Sequence, residues 1–143
     1  SAHFDRILCS EVIEHIPNAA QAVSEMCRVL KPDGRLIVST PNRLSWYGFD
    51  RYVLWSRLLR KQWNHPFDNW RSMRELHSLL EGHGFRIVAS TTACYVPGFL
   101  LTYFLPAWLQ RIVVRCVRGV AQLLSRVAPR SGYLLAVAAK KDR

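Results

Sequence analysis

Three residues near the start of the chain carry side chains that could do chemistry together. Glu11, Glu14 and His15 are spaced i, i+3, i+4, so one helical turn would place two carboxylates and an imidazole on one face. Such a face suits Mg²⁺ or Mn²⁺, because both ions favour oxygen ligands and accept imidazole. Without an ion, His15 could act as a general base that deprotonates an alcohol or a phenol. Both interpretations stay open at this point.

The elements that must position these residues follow from the apolar pattern. Residues 4–9 and 35–39 are short apolar runs typical of interior strands, and the second follows a Lys-Pro-Asp-Gly turn. Between them, Asn18 can cap a helix whose apolar residues recur at helical spacing. This order predicts a βαβ unit with parallel strands and a right-handed crossover. Ligands of such sheets sit beyond the carboxyl ends of the strands, here residues 9–15 and 40–42.

Further elements continue the alternation. Ser72 and Glu75 form a capping box, which predicts a second helix that two glycines end. Residues 85–90 and 133–139 predict two more strands. The sequence therefore predicts one α/β domain.

Two segments do not fit this alternation. Residues 43–70 interleave aromatic and basic side chains, but they also contain Asp50 and Asp68 and no dense basic run. Nucleic-acid binding is therefore the weaker interpretation of this segment, and packing of its tryptophans against the sheet is an alternative. Residues 97–128 are longer than an ordinary connection, which indicates a lid, a binding surface or a helical subdomain.

The second of these segments holds a cationic amphipathic helix. The formal net charge of the chain is +10, and no Asp or Glu occurs between Gly82 and Lys141. From Ala107 to Val127 the polar residues, four of them arginines, fall on one stripe and apolar residues fill the rest. The pattern predicts peripheral contact of residues 97–128 with an anionic membrane surface, and packing as a lid is the alternative. Four widely spaced cysteines without a CxxC pair predict a cytoplasmic protein, peripheral to the inner face of a membrane where that contact forms.

Residues 4–42, FDRILCSEVIEHIPNAAQAVSEMCRVLKPDGRLIVSTPN, resemble a known family. The segment is similar to the strand 4 to strand 5 region of class I S-adenosylmethionine-dependent methyltransferases. Four pieces carry the likeness: FD before the first strand, SEVIEHI after it, the RVLKPDG turn, and STPN at the end of the second strand. The likeness is to methyltransferase type 11 and the ubiquinone-biosynthesis O-methyltransferases. Residues 65–88 resemble the substrate loop, the fifth helix and the sixth strand of the same enzymes. The resemblance implies a Rossmann-like class I methyltransferase sheet, its strands 4 to 7, with a helical insertion at 97–130 before the last strand.

The resemblance also implies roles for individual residues. It places Cys9, Ser10 and Glu11 against S-adenosylmethionine, and it makes residues 43–70 the wall and lid of an acceptor pocket. The E-x-x-E-H spacing is similar to a metal-binding motif of small-RNA 2′-O-methyltransferases and ubiquinone O-methyltransferases, with His65 as the fourth ligand beside Glu11, Glu14 and His15. In other relatives the same string is a structural turn without metal.

One departure from the family affects the expected function. The family's glycine-rich loop and the acidic residue that holds the cofactor ribose do not occur in the sequence. The expectation is therefore a partial methyltransferase domain over residues 1–143, the C-terminal portion of the fold, that binds the cofactor weakly by itself. The expected reaction is methyl transfer to a small acceptor of hydrophobic or lipid-linked type. The alternatives are a non-catalytic truncated module and an RNA 2′-O-methyltransferase.

Overall fold

The structure is a computed structural model that describes residues 2–45, 48, 69–95 and 105–142. A 3-10 turn, Ile13–His15, follows the first strand, and the other elements alternate between strands and helices. In chain order these are β1 (Phe4–Ser10), α1 (Ala19–Val29), β2 (Leu30–Pro41), α2 (Met73–Glu81), β3 (Phe85–Ala93), α3 (Ala107–Val127) and β4 (Leu134–Lys141).

The four described strands form one mixed sheet in the order β1-β2-β4-β3. β1 and β2 are parallel and are joined through α1, which confirms the predicted βαβ unit. β4 is antiparallel to both of its neighbours, so β3 runs in the same direction as β2. The carboxyl ends of β1, β2 and β3 therefore meet at one edge of the sheet, where ligands of such folds bind. The predicted α/β class is confirmed.

One face of the sheet carries the core, because alternate residues of each strand point to it. Cys9 pairs with Val38, and Val38 pairs with Val137, all three buried on this face. Val23 of α1 and Leu76 of α2 pack into the same cluster. The helices thus cover this face through apolar stripes of the kind predicted for them.

The opposite face is apolar but exposed in the described part of the chain. Leu8 lies beside Ile37 on this face, with 71% and 47% of their surfaces exposed. β1 lies at the edge of the sheet, since no other described strand pairs with its outer side. An apolar face that ends in an open strand edge is a surface onto which further protein can add.

The turn predicted at residues 31–34 lies inside β2. Phe4 is paired with Leu30, whereas Arg6 is already paired with Arg35, so the turn forms a bulge between two paired stretches. Asp33 has a φ of 65°, which lies in the left-handed region of backbone conformation. This conformation lets the chain turn within the bulge. The strand therefore begins at Leu30, five residues before the predicted start, because pairing with β1 continues on both sides of the bulge.

Both predicted helix starts are confirmed by side-chain caps. The Asn18 side chain accepts a hydrogen bond of 3.1 Å from the backbone N–H of Gln21 at the start of α1. Ser72 and Glu75 form the complete capping box at the start of α2. Arg71, the residue before Ser72, forms a β-bridge with Asn42 just after β2, so the N-terminus of α2 lies at the carboxyl edge of the sheet.

α3 has the predicted bounds of 107–127, and none of its residues is buried. Leu109, Val113, Val117, Ala121 and Leu124 are half-buried along one line of the helix. Trp108, Ile112, Leu123 and Val127 are exposed apolar residues on other faces. Within the described ranges, no helix is both long enough and apolar enough to cross a bilayer. Most of the remainder of the predicted 97–130 insertion, residues 97–104, lies outside the described residues.

Candidate functional site at the carboxyl edge of the sheet

The residues predicted to bind the cofactor lie at the carboxyl end of β1. Ser10 Oγ and Ser39 Oγ are 2.9 Å apart and share a hydrogen bond that joins the ends of β1 and β2. The backbone N–H of Glu11 donates a 2.9 Å hydrogen bond to the carbonyl of Ser39. Ser10 and Glu11 are exposed, so their side chains stand at the open edge where a ligand would meet them.

Cys9 differs from its two neighbours because its side chain points into the core. Only 5% of its surface is exposed. Burial raises the pKa of the Cys9 thiol, and the negative charge of Glu14 raises it further. The thiol is therefore a neutral, packed group, and a cofactor contact from this position would come from its backbone.

Glu14 is the buried carboxyl group of the site. It is 2% exposed, and its Oε2 accepts a 3.1 Å hydrogen bond from Thr40 Oγ1 on β2. Its backbone carbonyl accepts a 2.9 Å hydrogen bond from the N–H of Asn69. Burial raises the pKa of Glu14, against the opposing effects of its hydrogen bonds and of the nearby His15. Glu14 thus fastens the turn after β1 to the end of β2 and to the chain that enters α2.

Glu11, Glu14 and His15 do not share one face, so this part of the prediction is wrong. Glu11 has a φ of 50° in the left-handed region, and the 3-10 turn begins only at Ile13. Glu14 therefore points into the core, whereas Glu11 and His15 are exposed. His15 Nε2 still lies 3.9 Å from Glu14 Oε1, so the imidazole sits beside the buried carboxyl group.

The described residues do not fit a centre for Mg²⁺ or Mn²⁺. Within the part of the chain that is described, no three His, Cys, Asp or Glu side chains converge as metal ligands. Glu14 uses one carboxylate oxygen on Thr40, and burial favours its neutral form, which is a poor ligand. His65, the fourth predicted ligand, lies outside the described residues. The four-residue metal site stays a prediction.

Asn42 is a site residue whose role the sequence reasoning missed. It is 1% exposed, and its backbone N–H donates a 2.6 Å hydrogen bond to the carbonyl of Tyr133. Its side-chain Nδ2 donates to the carbonyls of Arg130 and Gly132, each at 2.9 Å. Its Oδ1 accepts a 3.0 Å hydrogen bond from the N–H of Leu44. One side chain thus fixes the loop before β4 against the end of β2. The sequence feature that could have indicated this role is the position of Asn42 as the last residue of STPN, just after a strand.

Trp70 is the one aromatic residue of segment 43–70 that lies within the described residues. Trp70 is 5% exposed and meets Tyr133 edge to face, with ring centroids 5.8 Å apart. For Trp70, this contact agrees with the alternative that the tryptophans of the segment pack against the sheet. Trp55 and Trp63 lie outside the described residues, so the predicted wall and lid of an acceptor pocket stay a prediction.

A family model for the methyltransferase domain matches residues 1–90, from β1 through most of β3. The chain belongs to this family. Its resemblance to S-adenosylmethionine-dependent class I methyltransferases is thereby confirmed, and the solved structures below have the same Rossmann-like fold.

A ubiquinone biosynthesis O-methyltransferase from Xylella fastidiosa strain M23 is 52% identical over 42 residues, covering 29% of this chain and 17% of that protein. An S-adenosylmethionine-dependent methyltransferase from Thermotoga maritima gives a TM-score of 0.64 at 17% identity, covering 97% of this chain and 56% of that one. A Burkholderia thailandensis 1,6-didemethyltoxoflavin-N1-methyltransferase, solved with S-adenosylhomocysteine, gives 0.56 at 15% identity, covering 99% and 45%. The chain thus spans about half the length of these solved methyltransferases.

Proposed function

We propose that this chain takes part in methyl transfer from S-adenosylmethionine to a small-molecule acceptor of hydrophobic or lipid-linked type. The observation that carries the proposal is the exposed carboxyl edge of the sheet in a chain of the methyltransferase family. Ser10 and Glu11 stand open at that edge on a backbone that Ser39 holds. The buried Glu14 fixes the same backbone from below. A rigid edge of this kind can hold a cofactor in one orientation.

The side chains have little covalent chemistry to perform. S-adenosylmethionine, when bound, supplies a methyl group that its sulfonium already activates. The exposed carboxylate of Glu11 can accept hydrogen bonds from cofactor hydroxyl or amino groups, and Ser10 can donate or accept one. His15 is exposed beside Glu14, where a neutral imidazole could take the proton of an acceptor hydroxyl. These roles belong to the proposal.

Amide shifts in a nuclear magnetic resonance titration with S-adenosylhomocysteine test the proposal on the whole chain. We expect the shifts to concentrate at residues 9–11 and 40–42, since these lie at the exposed edge. Binding should be weak, because the sequence lacks the glycine-rich loop that normally surrounds the cofactor. Glu11→Ala should weaken it by roughly threefold to tenfold, the loss of one ordinary hydrogen bond at an exposed site.

Glu25→Ala is the matched control, since Glu25 is an exposed carboxylate that pairs with Arg28 on α1, away from the edge. It should leave the titration unchanged. Shifts spread evenly over the surface, or equal effects of the two substitutions, would reject the proposed cofactor edge. Tight binding would show that the glycine-rich loop is dispensable.

We also propose that α3 brings the protein to the inner, anionic surface of a membrane from the cytoplasm. Two observations support this contact. The apolar residues Trp108, Ile112 and Leu123 are exposed on a helix with no buried residue. Arg111, Arg115, Arg118 and Arg126 are exposed on the same helix, and none forms an ion pair with any described residue. Apolar surface beside unpaired arginine suits the boundary between headgroups and acyl chains.

A further inference from the structure

A groove of about 1050 Å³ lies between α2, β3 and the chain that follows α3. This volume suits a small molecule. One face of α2 forms a wall, β3 forms the floor, and the residues after α3 form the second wall. Leu44, Met73 and Pro129 add apolar surface to the lining. The polar groups that the groove offers a ligand include Arg74, His77, Ser78, Ser90, Thr91 and Arg130.

One end of the groove, called the mouth below, lies at the carboxyl edge of the sheet, because Asn42 lines it. Asn42 forms a parallel β-bridge with Arg71, three residues before Arg74. The Nδ2 of Asn42 donates to the carbonyl of Arg130. These two links bring the backbone around Arg74 and Arg130 close to Asn42. Two cationic residues therefore line the groove near the end of β2.

Polar groups near the mouth have no protein partner in the described part of the chain. The exposed guanidinium groups of Arg74 and Arg130 form neither an ion pair nor a hydrogen bond with a described residue. His77 Nε2 is buried and lacks a hydrogen-bond partner there. A buried nitrogen without a partner costs free energy that a ligand acceptor atom can recover.

The groove has an acidic end as well. The Glu81 carboxylate lines it seven residues beyond Arg74 on the same helix, about 10 Å along the axis. The mouth is therefore cationic and the far end anionic. This arrangement orients a ligand with its negative group toward the carboxyl edge of the sheet.

We propose that this groove binds the methyl acceptor through a phosphate or carboxylate group held by Arg74 and Arg130. His77 donates a hydrogen bond from Nε2 to the same ligand, and Leu44, Met73 and Pro129 contact its apolar body. The proposal rests on the proposed function for its reaction, since it places an acceptor beside the expected methyl donor. The binding site itself needs no methyl donor.

Titration of the whole chain with phenyl phosphate, in the absence of any methyl donor, tests the groove. We expect saturable binding with amide shifts at Arg74, His77 and Arg130, and no measurable binding of neutral phenol. Arg74→Gln and Arg130→Gln should each weaken phenyl phosphate by roughly threefold to tenfold. Both side chains are exposed, so thermal melting of each variant should match that of the parent chain.

Arg86→Gln is the matched control, because it removes the same charge at the start of β3, where Arg86 lies 3.8 Å from Asp142. It should leave phenyl phosphate binding unchanged. Equal weakening by Arg86→Gln would mean that general positive charge attracts the probe, and it would overturn the proposal. Absence of saturable binding would overturn it too. Intact probe binding without methyl transfer would reject the reaction and retain the site.

A phosphate could also belong to a lipid headgroup, and vesicles containing phosphatidylglycerol separate the two sources. Phenyl phosphate that leaves vesicle binding unchanged supports the groove as an acceptor site. Phenyl phosphate that displaces the chain from vesicles assigns the groove to phospholipid headgroups and overturns the acceptor site.

Discussion

Glu14 is a carboxyl group whose protonation is coupled to folding. Burial raises the pKa of Glu14, so the folded chain binds its proton more tightly than the unfolded chain does. The stability this contributes is fully present below the unfolded pKa, about 4.3, and is lost as the pH rises through the raised folded value. Glu14→Gln imitates the neutral form and keeps an oxygen for Thr40. We therefore expect the variant to gain stability relative to the parent chain as the pH rises from about 4 to 7.

Urea unfolding across this pH range measures the effect. Glu81→Gln serves as the control, because it removes the same charge from an exposed position. Parallel stability curves for the parent chain and Glu14→Gln would contradict the prediction. They would mean that the carboxylate is stabilised in the fold as well as it is in water.

At the scale of single residues, the sequence indicated which side chains lie near the site but not where these side chains point. Glu11, Glu14 and His15 follow a strand as predicted, yet a helical spacing could not show that Glu11 leaves the helical region of backbone conformation. The burial of Glu14 depends on Thr40, 26 residues away, and the role of Asn42 depends on residues 88 and 90 positions away. Local spacing carries no information on such distant partners.

At the scale of elements, local signals predicted most of the order, and pairing set the ends. The caps at Asn18 and Ser72 are short-range contacts, so they could be read from neighbouring residues. β3 extends to Ala93, three residues beyond its predicted end, because β4 continues to pair with it. β4 begins at Leu134 and reaches Lys141, two residues past its predicted end. Strand ends are decided by the partner strand, which a single segment does not reveal.

Lys141 shows how the end of one element stabilises another. Its Nζ donates to the carbonyls of Cys27 and Leu30, at 2.7 and 2.8 Å, where α1 ends. A cation at a helix C-terminus satisfies open carbonyls and opposes the negative end of the helix dipole. We expect Lys141→Met, which keeps the apolar stem, to lower the free energy of unfolding by about 1–2 kcal/mol.

Urea unfolding of Lys141→Met beside Lys31→Met measures this contribution. Lys31 forms an ion pair of 3.0 Å with Asp5 at an exposed site, so its substitution should cost less than about 1 kcal/mol. Equal losses for the two variants would show that Lys141 contributes only an ordinary surface contact.

The whole molecule divides its charge unevenly. Its formal net charge is +10, and acidic side chains on β1 and α1 offset nearby basic ones through pairs such as Lys31 with Asp5 and Arg28 with Glu25. α3 has no acidic residue at all. The sequence predicted this helix with its final bounds, since helical periodicity over 21 residues is a strong local signal. The surface that α3 contacts depends on the whole molecule, because an amphipathic helix fits a membrane surface and a lid over the protein equally well.

The arginines of α3 provide a test that distinguishes membrane contact from packing as a lid. Each basic residue near an anionic bilayer adds about 1 kcal/mol to binding. Four arginines that form no ion pair with a described residue therefore provide useful affinity even when apolar residues insert shallowly. We expect the whole chain to sediment with vesicles containing phosphatidylglycerol and to remain largely in solution with phosphatidylcholine alone. Raising the ionic strength should release it, since the headgroup attraction is screened by salt.

Replacing Arg111, Arg115, Arg118 and Arg126 with glutamine should abolish most of this sedimentation. The matched control replaces four exposed arginines outside α3, Arg6, Arg28, Arg35 and Arg86, and so removes the same total charge. Loss confined to the α3 variant supports a membrane-facing helix, because only the position of the charge differs between the two proteins. Equal loss in both would reduce the effect to net charge. Equal binding to the two kinds of vesicle would contradict the membrane proposal and favour α3 as a lid.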